Sequence, residues 1–297
     1  MAKPDSATSP ESKPPQSGAA PRPGRRRPSL LLLVITLLFV LIPFLFWRGT
    51  WYGRPLGDKK IEQYLADEAK PRHIQHALAQ IAEGMVRGGR RQGEVKQWYP
   101  RVVATAQHKM TEIRVTAAWV MGQDNTSEEF HQALLRLLQD PEPLVRRNAA
   151  LSLVRFGDVS GRAELVMMLR PYTVRSPRDG TLSTRLKEED AVNPGTLLAR
   201  LDAGKGQAFD IRSPLPGRVQ SRLKKEGARV AAGDEVVLLS PGPDQVWEAL
   251  RALFLVGRPE DLPDVERFAQ PASAGAGMPD KILEQAALTA KAIRNRL

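Results

Sequence analysis

The residues with the greatest chemical potential in this sequence are four histidines and a lysine between two glycines. His73 and His76 are three residues apart, so on a helix they share one face and offer two metal ligands. No third ligand follows at metal-binding spacing, and we interpret the pair as helix-surface residues. Gly204-Lys205-Gly206 lacks the spacing and the Ser or Thr of a phosphate-binding loop. Because the chain has no cysteine, thiolate catalysis is excluded, and we predict a protein that is not an enzyme, with no metal and no bound cofactor.

The net charge of +11 is spread along the chain and forms no long basic block. Nucleic-acid interfaces use clustered Lys and Arg, ideally with aromatic residues between them. Aromatic residues make up only 6% of this sequence. We therefore predict protein partners and no nucleic-acid partner.

The lysine lies between two copies of one sequence unit, within residues 172–240. The first copy runs from Arg175 to Gly195 and the second from Arg212 to Gly233. Each opens with Arg-Ser-Pro, carries a turn glycine and an Arg-Leu-Lys centre, and closes with glycine. Short β-type runs between such turns predict strands, and two copies can bury apolar faces that one cannot. We predict a small sandwich or barrel with these residues facing inward: Leu182, Leu186, Leu197, Leu198, Val219, Leu223, Val236 and Leu238.

The repeated Ser-Pro-x-x-Gly and Val-x-x-Gly signatures resemble the biotinyl/lipoyl carrier domain, the barrel-sandwich hybrid that also occurs in membrane-fusion adaptor proteins. In carriers the modified lysine lies on the hairpin between the two halves. The resemblance therefore implies Lys205 as the candidate residue for biotin or lipoate attachment. Carriers usually flank this lysine with methionines, whereas Gly204 and Gly206 flank it here. The alternative interpretation is a solvated turn lysine.

Helical periodicity fills residues 56–171. Within this segment, residues 113–121 align with residues 145–153, and a turn and a further helix follow each. Both stretches contain an Ala pair, which lets neighbouring helices approach closely. The stretch 140–151, DPEPLVRRNAAL, resembles a HEAT repeat of the phycobilisome-lyase type. Because the helical pattern resumes over residues 244–297, we predict that the β unit is inserted in a helical solenoid.

The N-terminal part of the chain differs from the rest. Residues 1–28 are rich in Pro, Ser, Ala and Gly and predict a disordered tail. Residues 30–47 carry no charge and would form a helix about 27 Å long, which predicts a transmembrane helix over residues 29–47. The Arg25-Arg26-Arg27 triplet favours a cytoplasmic N-terminus, with the other domains in the periplasm beside the inner membrane. A cleavable signal peptide is the alternative.

The predicted fold class is multidomain, with a transmembrane helix, an α-solenoid of HEAT-like repeats and an all-β barrel-sandwich hybrid inserted in it. We expect a non-enzymatic, membrane-anchored scaffold or adaptor, an accessory subunit of an envelope transport or assembly complex. Its protein partners would bind the solenoid and the exposed turns at Pro177–Gly180 and Pro214–Gly217. The alternatives are a membrane-tethered biotin or lipoyl carrier modified on Lys205, and lyase chemistry on a bilin.

Overall fold

The chain divides into two compact units, Met1–Pro55 and Leu56–Leu297. The predicted tail over residues 1–28 and the candidate Lys205 lie outside the described residues. The computed structural model describes residues 30–49, 56–87, 94–184, 186–204, 207–270 and 278–296.

The first unit contains helix α1 (Leu30–Gly49), whose side chains are described from Val34 to Phe44. Within the described part of the chain, no helix has the length and apolar character needed to span a membrane. This finding contradicts the predicted transmembrane helix over residues 29–47. The predicted single-pass inner-membrane location, with a cytoplasmic N-terminus, periplasmic domains and membrane contact through residues 30–47, is contradicted with it.

The second unit contains a two-layered stack of helices. Helices of the first layer pack on each other in chain order, and each helix of the second layer packs on its first-layer neighbours. Ser127 caps one second-layer helix by accepting a hydrogen bond from the Phe130 N–H at 3.4 Å, which satisfies one of the unpaired N–H groups at the helix start. The first layer is α3 (Pro71–Arg87), α5 (Thr111–Met121), α7 (Pro143–Arg155), α9 (Pro243–Val256) and α11 (Asp280–Arg294), and the second is α2 (Asp58–Leu65), α4 (Tyr99–Thr105), α6 (Glu128–Leu137), α8 (Arg162–Met167) and α10 (Leu262–Glu266).

Small side chains set the close spacing of α5 and α7. Ala118 and Ala150, one from each predicted Ala pair, are fully buried. The Ser152 hydroxyl donates to the carbonyl oxygen of Ala118 at 2.8 Å. A Cβ on Gly122 would lie 2.5 Å from that hydroxyl oxygen, so a larger residue there would separate the two helices.

Helices that precede the β region in the sequence and helices that follow it contribute to one hydrophobic core. Leu165 and Leu169, which precede the β region, are fully buried in the same cluster as Leu250 and Ile282, which follow it. Burial of each such side chain stabilises the folded state by about 2 kcal/mol. The chain therefore leaves the helical stack after α8 and returns to it at α9.

The β region consists of eight strands in two antiparallel sheets. One sheet has the order β1-β8-β6-β3 and the other the order β5-β4-β2-β7. Exchanging β1–β4 with β5–β8 converts one order into the other, as expected for two copies of one unit. Hydrogen bonding among the described strands does not close the sheets into a barrel. The strands are β1 (Tyr172–Arg175), β2 (Gly180–Ser183), β3 (Ala191–Val192), β4 (Leu197–Asp202), β5 (Ala208–Arg212), β6 (Gly217–Arg222), β7 (Arg229–Val230) and β8 (Glu235–Pro241).

Equivalent hydrogen bonds recur in the two copies. The N–H of Ser176 donates to the carbonyl oxygen of Asp234 at 2.8 Å, and the N–H of Ser213 donates to that of Thr196 at 2.8 Å. Each serine hydroxyl also donates to the carbonyl oxygen two residues later, at 2.6 Å in both copies. The sequence repeat is therefore a structural repeat with the same backbone geometry.

The closing glycines of the two copies occupy equivalent corners. Gly195 and Gly233 have φ angles of 85° and 88°, a region that side chains with a Cβ avoid. At another corner the second copy has Gly227 with φ 76°, whereas the first copy has Glu189 with φ 70°. Glycine therefore closes each copy because the backbone requires a positive φ there.

The inward-facing residues differ in part from the prediction. Bulges in the β4–β5 and β6–β8 pairings interrupt the alternation of inward and outward positions, so a strict period of two fails there. Leu197 lies at one of these bulges, and its neighbour Leu198 faces inward instead. Leu182, Leu198, Val219 and Val236 are buried, Leu186 and Leu238 are half-buried, and Leu197 and Leu223 are exposed by 38% and 41%.

Candidate functional site

An arginine at the same position of each repeat shapes the loop before α5 and the loop before α7. Arg114 donates to the carbonyl oxygen of His108 at 2.9 Å, and Arg146 donates to that of Asp140 at 2.8 Å. In each case the carbonyl lies six residues before the arginine, and a second carbonyl five residues before it also accepts a hydrogen bond. The two loops are therefore held in the same conformation.

Carboxylates bind the same two arginines. Arg114 contacts both carboxylate oxygens of Asp140, at 2.7 and 3.0 Å, and Arg146 contacts Glu164 at 3.1 Å. The hydrogen bond to Asp140 raises the pKa of Arg114. Charge-assisted and bidentate hydrogen bonds are strong, so the N-terminal ends of α5 and α7 are fixed side by side.

A cleft of about 550 Å³ opens where these helix ends meet the β region. Helices α3, α5 and α7 form one wall, and two turns of the β region form the other. Its lining includes Gln75, Thr111, Glu112, Val115, Thr116, Glu142, Leu144, Pro194, Gly195, Arg212, Ser213 and Pro214.

Two glutamates line this cleft, and neither has an ion-pair partner among the described residues. Glu112 lies in the first turn of α5, and Glu142 occupies the N-cap position of α7 without a capping hydrogen bond from its side chain. The positive end of a helix dipole stabilises carboxylates at such positions. Arg212, the cation in the same lining, already donates to Asp210 at 2.7 Å and to the carbonyl oxygen of Gly195 at 2.8 Å. Asp210 also pairs with Arg200, so the charge of Arg212 is only partly offset, and the cleft lining carries two glutamates against one arginine.

Arg147 lies at the junction where the β region packs on the helices. It is 3% exposed, donates to Gln245 Oε1 at 3.0 Å and lies 3.6 Å from Glu164. Burial lowers the pKa of Arg147, and the charge of Glu164 opposes this shift. Leu215 and Tyr172 of the β region lie at the same junction. The junction connects α7 and α9 with the β region, so it fixes the wall of the cleft that the turns provide.

The histidines that suggested a metal site have structural contacts instead. His73 Nδ1 lies 2.7 Å from Asp67 Oδ2, and its ring stacks on Tyr64 with the centroids 4.2 Å apart. Burial lowers the pKa of His76, which favours its neutral form. Across the described ranges, no three or more His, Asp or Glu residues are grouped as metal ligands.

The two turns that were predicted as exposed docking surfaces differ in their exposure. In the first turn, Pro177, Arg178 and Asp179 are exposed. In the second, Leu215 is only 1% exposed and lies against the helices. The prediction of an exposed turn at Pro214–Gly217 is therefore wrong, because α7 and α9 cover its centre.

Lys205 lies outside the described residues, but the strands that lead to it are described. β4 begins at Leu197, beside the cleft residue Gly195, and ends at Asp202. A strand of this length spans roughly 20 Å. The hairpin between β4 and β5 therefore begins at the end of the β region that is remote from the helices.

Glu112 and Glu142 were not predicted from the sequence as site residues. Both occur at helix starts, where acidic residues are common because of the helix dipole, so residue type and position did not distinguish them. Their proximity to Pro194 and Pro214 depends on how the β region is seated on the helices. The available signal was that each precedes a repeated arginine: Glu112 lies two residues before Arg114, and Glu142 lies four residues before Arg146.

Comparison with known proteins identifies the helical repeats. A family model for HEAT repeats matches residues 99–177, which confirms a helical repeat region beside the antiparallel β region. HEAT repeats generally mediate protein–protein interactions. No curated protein matches the chain in sequence. One similar solved structure is titled "Structure and function of a single-chain, multi-domain long-chain acyl-coa carboxylase", with 19% identity and a TM-score of 0.23 over 32% of this chain and 10% of that chain. A TM-score this low carries no argument about fold or function.

Proposed function

We propose that the chain is a non-enzymatic scaffold that binds a protein partner in the cleft between the first-layer helices and the β region. The observation that carries the proposal is the cleft itself, whose two walls are the helical repeats and the β region. The HEAT match supports a role in protein interaction. Solenoids commonly bind partners along one face, and insertions in them add binding elements.

The packing of the β region on the helices also supports this proposal. Arg147 and Leu215 are buried at the junction, so both walls of the cleft belong to one packed unit. A preformed cleft avoids part of the ordering cost of binding. The predicted role in an envelope complex required a membrane span, which the structure contradicts.

Site-specific photo-cross-linking of the full chain in its native host tests the proposal. A benzophenone amino acid at Thr116, in the cleft lining, is expected to form a discrete adduct with a protein partner. The same amino acid at Gln132, exposed on α6, serves as the matched control and is expected to form none. Equal adducts at both positions, or none from the cleft, would contradict the proposal.

A second candidate function is a biotin or lipoate carrier of the barrel-sandwich hybrid type, modified on Lys205. The exchange of sheet orders between the two copies and the remote position of the β4–β5 hairpin favour it, because a carrier lysine must reach other active sites. Intact-mass measurement of the chain from its native host is the test. A carrier gains the mass of the attached group and loses it in Lys205→Arg, whereas an unmodified wild-type mass excludes this function.

A further inference from the structure

The cleft differs in charge from the chain around it. The net charge of the chain is +11, and many of its acidic residues are neutralised, as Asp140 is by Arg114 and Asp264 by Arg170. Glu112 is exposed and has no ion-pair partner among the described residues, and the same holds for the half-buried Glu142. Two unpaired carboxylates in a basic protein, both in the lining of one cleft, point to a cationic ligand.

Apolar and hydrogen-bonding groups lie beside these carboxylates. Val115 and Leu144 are half-buried in the lining, and Pro194 and Pro214 face them from the β region. One helical turn beyond the cleft on α5, Trp119 is 47% exposed. A cleft with apolar walls and negative charge suits a segment that carries aliphatic side chains as well as positive charges.

We propose that the cleft binds an extended basic segment of the protein partner, with Lys or Arg side chains facing Glu112 and Glu142 and an aliphatic side chain against Val115 and Leu144. This inference rests on the proposed scaffold function and names the chemistry of its partner. Neighbouring helices lie about 9 Å apart, so a segment that crosses α3, α5 and α7 needs about six extended residues. Arg212 shares Asp210 with Arg200 and therefore keeps part of its charge, so the positive side chains of the segment lie at the helix wall, beside Glu112 and Glu142.

Fluorescence anisotropy with a peptide array tests the inference on the full chain. The probes are nine-residue peptides of Lys, Arg, Leu and Pro in varied order, each paired with a peptide in which Glu replaces Lys and Arg. We expect basic peptides to bind at least tenfold more tightly than their charge-reversed partners. Because exposed ion pairs are screened by salt, binding should weaken several-fold between 50 and 200 mM NaCl.

Variants assign the binding to the cleft. Glu112→Gln with Glu142→Gln is expected to raise the Kd of the basic peptides about tenfold. Glu128→Gln with Glu129→Gln, a matched pair of exposed residues on α6, should change it less than twofold. The charge-reversed variant Glu112→Lys with Glu142→Lys should prefer the acidic peptides, a gain that misfolding cannot produce.

Three results would overturn the inference. The first is equal binding of basic and charge-reversed peptides, the second is unchanged binding in the Glu112/Glu142 variants, and the third is a Thr116 cross-link to a second copy of this chain. If no basic peptide binds while the Thr116 cross-linker still captures a partner, only this inference fails. If that cross-linker captures no protein, the scaffold function itself fails.

Discussion

The two copies of the Ser-Pro-x-x-Gly turn share a backbone and differ in their surroundings. In both, the serine hydroxyl donates to the carbonyl oxygen two residues later at 2.6 Å. Arg178 of the first turn is exposed, and its guanidinium lies 4.1 Å from the centroid of the Phe209 ring. Leu215, at the same position of the second turn, is 1% exposed and lies against the helices. The turn sequence therefore sets the backbone, and the neighbouring helices decide which turn is surface.

The residues of the two turns differ in the way that burial requires. The first turn carries the charged pair Arg178 and Asp179 between its proline and its glycine, where the second carries Leu215 and Pro216. An unpaired charge is costly to bury, whereas an apolar side chain gains stability at the junction. One copy therefore attaches the β region to the helices, and the other leaves its turn free for contacts.

Alanine substitution of the turn glycines is expected to give the largest difference between the copies in the free energy of unfolding. A Cβ on Gly217 would overlap the carbonyl oxygen of Ser240, whereas one on Gly180 would lie 2.9 Å from that of Asp202. Because backbone atoms move little in a packed sheet, we expect Gly217→Ala to lower the free energy of unfolding by about 3 kcal/mol and Gly180→Ala by about 1.5 kcal/mol. Urea unfolding followed by circular dichroism measures both. Gly57→Ala, which meets nothing within 4 Å, is the control, and equal losses in the two turns would contradict the difference in packing.

Truncation of the side chain at the centre of each turn sharpens the comparison. Leu215→Ala removes a buried side chain and should lower the free energy of unfolding by about 2.5 kcal/mol. Arg178→Ala removes an exposed cation over an aromatic ring and should cost less than about 1 kcal/mol. Hydrogen exchange should quicken in α9 for the first variant only, since α9 borders Leu215 through Gln245. If Arg178→Ala lowers the free energy of unfolding as much as Leu215→Ala does, then burial against the helices is not what distinguishes the two turns.

The corner at Glu189 and Gly227 tests the backbone that the copies share. A residue with a Cβ at positive φ is strained by about 1–2 kcal/mol, while glycine loses about 0.5–1 kcal/mol of chain entropy on folding. We therefore expect Glu189→Gly to raise the free energy of unfolding by about 0.5 kcal/mol. Gly227→Ala, with no atoms within 4 Å of the added Cβ, should lower it by about 1 kcal/mol. Thermal unfolding of both variants is the measurement, and a loss from Glu189→Gly would mean that the Glu189 side chain stabilises the corner.

Local signals predicted the parts of the fold that local forces decide. Helical periodicity and the 32-residue spacing of the Ala pairs indicated the repeats, which the HEAT match over residues 99–177 supports. Proline and glycine spacing indicated the duplicated strands. The bulge that turns Leu198 inward instead of Leu197 was not predicted, because bulges depend on pairing between strands. Apolar composition alone predicted a membrane span over residues 29–47, which the described helix contradicts.

The candidate site depends on packing that no local pattern encodes. Glu112 and Glu142 belong to the helical repeats, and Pro194 and Pro214 belong to the β region, so the cleft exists only after the two have packed. Their docking depends on Leu215 and Arg147, whose burial is set by residues distant in the sequence. A repeat alignment shows which positions are equivalent. It does not show which copy the helices cover.

A charge difference in the turns at the closing glycines is expected to have the smallest effect on stability. Where the first copy has Thr196, the second has Asp234, whose carboxylate accepts hydrogen bonds from Lys224 Nζ at 3.0 Å and from the Ala231 N–H at 3.3 Å. These bonds, with that from Lys224 the stronger influence, lower the pKa of Asp234 below its ordinary value. A carboxyl with a lowered folded-state pKa adds stability that is complete above its unfolded pKa of about 3.9 and is lost as the pH falls through the folded pKa.

The stability gap between wild type and Asp234→Thr should therefore be constant above about pH 5 and shrink as the pH falls through the folded-state pKa of Asp234. Thermal unfolding over a pH series from neutral to strongly acidic is the measurement. Thr196→Ser, which keeps the hydroxyl that accepts the Asn193 N–H at 2.9 Å, is the control and should show no such pH dependence. A gap that persists in acid would contradict the prediction, because it would mean that the difference between aspartate and threonine at position 234 does not depend on the charge of the carboxylate.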